Sequence, residues 1–129
     1  MAHSTDAESI IEAKVISIDE TFHLTHLQFA GGEFIVSSSE LTIGQTVRLR
    51  ILARDVSLTL ERQTDTSILN IFPVTVEELT EENPAQLTVR LNAHGVPLLS
   101  RVTRKSATAL GLEVGKEVYA QVKSVALLA

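Results

Sequence analysis

Between Gln45 and Ala53, Val47, Leu49 and Ile51 alternate with Arg48 and Arg50. A period of two is that of a strand with one buried face. The same period returns at Glu117–Lys123, with Val118, Ala120 and Val122 inward and Tyr119, Gln121 and Lys123 outward, and again where Leu87, Val89 and Leu91 alternate with Thr88 and Arg90. Turn chemistry separates these runs at Ala30-Gly31-Gly32, Ile43-Gly44, Asn92-Ala93-His94-Gly95 and Val114-Gly115. Many short strands with regular turns fold as a small barrel or sandwich. The apolar residues agree: Val, Ile and Leu dominate, against four Phe, one Tyr and no Trp. Branched side chains suit a pleated, half-buried surface.

The chain also repeats itself. Leu41–Val47 matches Leu112–Val118 at an offset of 71, and Val56-Ser57-Leu58 matches Val125-Ala126-Leu127 at an offset of 69. Gly32 and Gly95 are only 63 apart, so the second copy carries about eight extra residues, including Arg101–Ser106. The first copy is two residues longer over Ile51–Val56 than the second over Val122–Val125. Ser37-Ser38-Ser39-Glu40 has capping-box spacing, and Ser106–Leu110 followed by Gly111 reads as a helical turn with a glycine cap. One short helix in a five-stranded Greek-key barrel is the pattern of an OB-type fold. The expectation is therefore all-β: a tandem pair of small OB-like Greek-key barrels, each with one short helical turn. A flexible N-terminal tail is expected over 1–9, the first OB-like half over 10–66 and the second over 67–129. A β unit of about 60 residues buries only about 60% of its unfolded surface. The halves should therefore share an interface or pair with a second chain.

Composition excludes several functions. There is no cysteine, hence no disulfide, thiolate metal site or cysteine nucleophile. No run approaches 18 apolar residues, so no membrane-inserted segment is expected, and the opening Met-Ala-His-Ser-Thr-Asp lacks the form of a secretory signal. A cytoplasmic location is the expectation that follows. The net charge of −5 opposes nucleic acid. Neither a phosphate-cradling Gly-x-x-x-x-Gly-Lys-Ser/Thr loop nor a Gly-x-Ser-x-Gly elbow is present, so the chain itself is not expected to be an enzyme. His23 and His26 have metal-like spacing, but on a strand i and i+3 face opposite sides, and no metal site is expected. The acidic run Glu77–Asn83 reads as a solvated loop.

The hydroxyl, amide and basic residues of the second half are more informative. Thr103 and Ser106 lie in the inserted segment, Lys123-Ser124 ends the last long strand, and Ser67 and Asn70 open the half. Hydroxyl and amide groups donate hydrogen bonds, and lysine adds positive charge without accepting. Such a set suits a small tetrahedral oxyanion, whose oxygens are all acceptors. The same residues also admit a plainer reading, with Thr103 as a helix N-cap and Lys123 as an exposed strand residue.

Taken in order, Thr66–Asn70, Gly95, Val102–Ser106, Leu110-Gly111-Leu112, Gly115 and Val122-Lys123-Ser124 resemble the Mop, or molybdate-binding TOBE, domain. Arg50–Leu58 running into Thr66–Asn70, and the ending Val118–Leu127, look more specifically like the C-terminal regulatory region of the ATP-binding subunit of a molybdate ABC transporter. The resemblance covers nearly everything from Ile10 onward. It implies OB-like barrels that bind molybdate or tungstate at subunit interfaces, with no other cofactor. The family's Ser-Ala-Arg-Asn maps onto Ser67–Asn70, with Leu69 in the arginine position. Its Thr-x-x-Ser maps onto Thr103 and Ser106, and its Lys-Ala-Ser-Ser onto Lys123-Ser124, shortened by two. In the first half the lysine position falls on Leu52, and no Ser-x-x-Asn precedes the barrel. The implied partners are the oxyanion, a second copy of the chain and, through an ATPase domain absent here, transporter membrane subunits. The implied role is regulatory: oxyanion sensing that modulates transport, on the cytoplasmic side of the inner membrane. Two other readings compete. One is a structural dimerisation domain with a decayed site, as Leu69 and Leu52 suggest. The other is single-stranded nucleic acid binding, which five aromatics and a negative balance disfavour.

Overall fold

The computed structural model describes residues 7–38 and 40–128. Ten strands, one α-helix and one 3-10 turn follow in order: β1 Glu8–Asp19, β2 Leu24–Phe29, β3 Gly32–Val36, β4 Thr46–Leu52, the 3-10 turn Ala53–Asp55, β5 Val56–Thr59, β6 Asn70–Asn83, β7 Gln86–Ala93, β8 Val96–Thr103, α1 Arg104–Leu110, β9 Glu117–Val122 and β10 Ala126–Leu128. The fold is all-β, as the alternating runs require.

The strands form two five-stranded antiparallel sheets, in the orders β10-β4-β1-β2-β3 and β5-β9-β6-β7-β8. Each sheet takes four strands from one half of the chain and its fifth from the other. β5 leaves the first half after the 3-10 turn and pairs with β9, Val56 opposite Val122 and Ser57 opposite Gln121. β10 returns from the C-terminal end to pair with β4, Ala126 opposite Arg50 and Leu127 opposite Leu49. The sheets therefore do not follow a simple division of the chain at residue 66.

The internal repeat extends to irregular detail. β1 bulges between Val15 and Ser17, and β6 between Val76 and Glu78. Beside each bulge the same turn closes. Gly44 donates to the Val15 carbonyl at 2.8 Å and Val15 donates to Gln45 at 2.9 Å; Gly115 donates to Val76 at 2.8 Å and Val76 donates to Lys116 at 2.9 Å. Both turn glycines have φ of 93°, a conformation that favours a residue without Cβ.

Three expectations are corrected. Glu8 and Ser9, assigned to the tail, already belong to β1 and pair with Leu52 and Ile51. The acidic run from Glu77 is the outer part of β6, where pairing with β7 satisfies its backbone while its carboxylates stay exposed. The helical turns are not duplicated: α1 is the only α-helix among the described residues. Ser39 of the predicted capping box lies outside them, and Ser37, Ser38 and Glu40 stand in no helix. Only residues 37–40 separate β3 from Leu41, whereas 104–111 separate β8 from Leu112. One turn of chain is too short for a helix to repay its nucleation. In the second copy Gly111 closes α1 in the left-handed conformation at φ 63°, and the Lys116 ammonium donates to the Leu110 carbonyl at 2.7 Å.

A single apolar core runs through both sheets, from Ile11, Leu27, Leu49 and Ile51 to Val76, Val89, Leu91 and Val118. Three rings join the halves: Phe72 of β6 packs on Phe34 of β3 and Phe29 of β2, with centroids 4.7 and 5.3 Å away. Between-half burial supplies what each small half lacks alone. Gly31 lies in this seam. A Cβ there would stand 2.7 Å from the Ala93 carbonyl oxygen and 2.6 Å from the Phe29 ring. Because backbone cannot yield as a flexible side chain does, Gly31→Ala should destabilise the protein by about 1–3 kcal/mol. Urea unfolding followed by circular dichroism checks this, and a change within about 0.5 kcal/mol would show the seam to be loosely packed.

Candidate functional site

The six predicted residues do not gather in one place. Asn70, Lys123 and Ser124 line a concavity of about 410 Å³ together with Ile35, Val36 and Ser37 from the end of β3, and Val125 and Leu127 near β10. It is built across the halves: β3 belongs to the first sheet, while Asn70 opens β6 of the second. No carboxylate is among its described lining residues, and Lys123 is their only cation.

Asn70 is 8% exposed and its amide is engaged at both ends. Its Oδ1 accepts from the Ile35 N–H at 2.7 Å, and its Nδ2 donates to the Ile35 carbonyl at 3.1 Å. One Nδ2–H remains for a ligand, since an amide nitrogen carries two. Lys123 and Ser124 are exposed. The Lys123 backbone N–H donates to the Asp55 carbonyl at 2.8 Å, pinning the segment between β9 and β10 against the 3-10 turn. No hydrogen bond or ion pair to a described residue holds its ammonium.

Thr103 and Ser106 line a second concavity, of about 460 Å³, with Arg54, Ser57 and Arg101. The capping reading of Thr103 holds in full. It is the N-cap of α1, its hydroxyl oxygen accepting from the Ser106 N–H at 3.0 Å and lying 3.0 Å from Ser106 Oγ. Ser67 is exposed in the connection between β5 and β6 and lines neither concavity. His23 sits in the turn before β2 rather than on a strand, and His26 pairs with Glu33 at 2.6 Å. Among the described residues no group of three or more His, Asp or Glu could hold a metal ion.

Ser9 is the residue that sequence reasoning missed. It pairs with Ile51 as Asn70 pairs with Val122, so the two occupy the same place in the repeat. Ser9 is buried, and its Oγ accepts from the Leu99 N–H of β8 at 3.0 Å, as Asn70 accepts from Ile35 of β3. Each half thus reaches into the other half's third strand with one side chain. The equivalence was hidden because Ser and Asn do not align by type, and the position becomes legible only through the strand register.

Residues 66–129 match the model of the TOBE domain family. Over 128 residues the chain is 48% identical to the molybdenum import ATP-binding protein ModC of Albidiferax ferrireducens, covering 99% of this chain and 35% of that protein. It is 46% identical to ModC 1 of Azotobacter vinelandii, covering 98% of this chain and 36% of the relative. The chain thus spans about a third of the length of these relatives. In fold it is similar to the crystal structure of the cytoplasmic molybdate-binding protein ModG with molybdate bound. That likeness has a TM-score of 0.78 at 23% identity and covers 92% of this chain and 93% of that one.

Asn70→Ala removes an acceptor and a donor from Ile35, leaving two partly buried backbone groups unmet, and should cost about 1–3 kcal/mol. Ser9→Ala strands one N–H, that of Leu99, and should cost less. Chemical denaturation of the two variants checks this ranking.

Proposed function

We propose, from the premise that residues 66–129 of this chain are a TOBE domain, that the protein binds molybdate or tungstate as the regulatory portion of a molybdate importer's ATP-binding subunit. The observation that carries this reading is the first concavity. Lys123 supplies charge there, and Ser37, Ser124 and the remaining Asn70 N–H can supply donors, with no described carboxylate to repel a dianion. A tetrahedral oxyanion presents only acceptors, so donors around a single cation match it. Because the protein's net charge is −5, attraction must come from these local groups. Resemblance to ModC and to molybdate-bound ModG supports the choice of ligand.

In the mechanism that follows, cytoplasmic oxyanion seats between elements of the two halves and favours the arrangement in which β3, Asn70 and Lys123 stay together. Only differential affinity for two arrangements lets a ligand shift their balance. The chain acts as a homodimer, attached through an ATPase portion to membrane subunits, and slows transport when intracellular oxyanion is plentiful. The fold belonging to this reading is a tandem pair of OB-like barrels, with the ten strands divided as two exchanged sets of five.

A second reading, structural dimerisation without ligand, is favoured by one observation: Asn70 commits both ends of its amide to Ile35. Thermal unfolding separates the two. Molybdate or tungstate at about 100 times its dissociation constant should stabilise the chain by roughly 2.7 kcal/mol. Lys123→Ala should weaken binding at the first concavity at least about tenfold and leave the unliganded melting temperature unchanged, since an exposed lysine contributes little to packing. Absence of any shift with either oxyanion supports the structural reading instead.

A further inference from the structure

Thr25 lies on β2 with no exposed surface, yet it carries a hydroxyl into the core. Its place in the repeat follows from the strand register. Val15 and Val76 stand at equivalent bulges and pair with Leu27 and Leu91, so Thr25 corresponds to Val89, and Val36 opposite it to Ser100. Val89 is equally buried. Valine has threonine's branched shape, so packing alone accounts for either residue. A buried hydroxyl costs free energy unless it is hydrogen-bonded, and Thr25 therefore needs a reason that Val89 does not.

That reason is the chain just beyond β3. Thr25 Oγ1 donates to the Ser38 carbonyl at 2.8 Å, while its backbone pairs with Val36. Ser37 stands between these two tethered residues, exposed and lining the first concavity beside Val36. Asn70 holds Ile35, one residue earlier. In the second half the corresponding connection is secured differently: α1 starts at the Thr103 cap, and the Arg104 N–H donates to the Ala85 carbonyl at 2.8 Å. There the buried hydroxyl stands on the other strand of the pair, at Ser100, and donates to the Val56 carbonyl of β5 at 2.6 Å. Among the described residues no helix follows β3, and it is in this half that a core hydroxyl reaches the connection.

We propose that Thr25 is a positioning residue for the first concavity. By fixing Ser38 it holds Ser37 ready to donate to an oxyanion, as α1 and its cap hold the equivalent connection in the other half. Thr25 acts from the core, outside the concavity, and does not touch the ligand. A donor already held in place loses less freedom on binding than a mobile one. The proposal rests on the reading of the first concavity as the oxyanion site, and adds to it a residue that lies outside its lining.

Isothermal titration of the full chain with sodium molybdate tests it. Thr25→Val should weaken binding roughly three- to tenfold, the order expected for releasing one side chain. Valine already fills the equivalent place at Val89, which favours folding of this variant. Thr25→Ser, which keeps the hydroxyl, should bind as the wild type does. In a Ser37→Ala background Thr25→Val should cause no further loss, because it acts through Ser37. Should circular dichroism show Thr25→Val unfolded, Thr25→Ala makes the same comparisons. A lowered melting temperature with unchanged affinity overturns the proposal and leaves Thr25 a purely structural residue. So does a loss that Thr25→Ser shares, or one that adds in full to the loss from Ser37→Ala. No uptake of molybdate by the wild type overturns the parent reading, and the positioning role with it.

Discussion

Exchange of the fifth strand is the constraint on which the rest of the molecule depends. β4 and β9 are the inner strands that receive it, and without β10 and β5 each would present an unpaired edge. The exchange ties the halves by backbone hydrogen bonds, where a side-chain interface alone could slide or separate. It also carries the 3-10 turn at Ala53–Asp55 and the connection through Lys123 across from one sheet to the other. The two basic side chains at these crossings, Arg54 and Lys123, owe their positions to it. The concavities lie at the crossings because there the chain leaves a sheet and its side chains no longer pack against strands on both sides.

Ser9 and Asn70 show how the same exchange was tuned in two ways. Both stand at the start of a long bulged strand and accept a backbone N–H from the opposite half. Serine makes one such bond. Asparagine makes two to the same residue, fixing Ile35 as donor and acceptor together. Holding β3 more firmly at Asn70 sets one wall of the Lys123 concavity in place before any ligand arrives. Preorganised donors lose less on binding than mobile ones. On the proposed reading, the hydrogen bonds that make Asn70 structural also hold its remaining N–H in place for an anion.

Alternation at Val47–Ile51, Leu87–Leu91 and Val118–Val122 made the strands legible, because side-chain period is a local property of extended backbone. The offsets of 71 and 69 made the repeat legible, and the two-residue difference between them already marked the crossing where Arg54 lies. The acidic stretch of β6 was not legible, since its residues are poor strand formers and only pairing with β7 keeps them extended. A helical turn in the first copy was suggested by a serine-rich cap, but propensity cannot form a helix where the connection is one turn long.

Residue types by themselves determined the all-β class, the twofold repetition and the presence of donors and cations suited to an anion, and offered the Thr103 cap as one of two readings. Only tertiary structure decided how those donors are grouped. Asn70, Lys123 and Ser124 face one concavity and Thr103 and Ser106 another, with Ser67 beside neither. The reason is that grouping depends on which sheet receives β5 and β10, and pairing partners far apart in sequence leave no periodic trace in either strand. Arg101 is the clearest case: the sequence places it only in the inserted Arg101–Ser106 segment, whereas the structure puts it on β8 with its Nε buried and without an acceptor among the described residues.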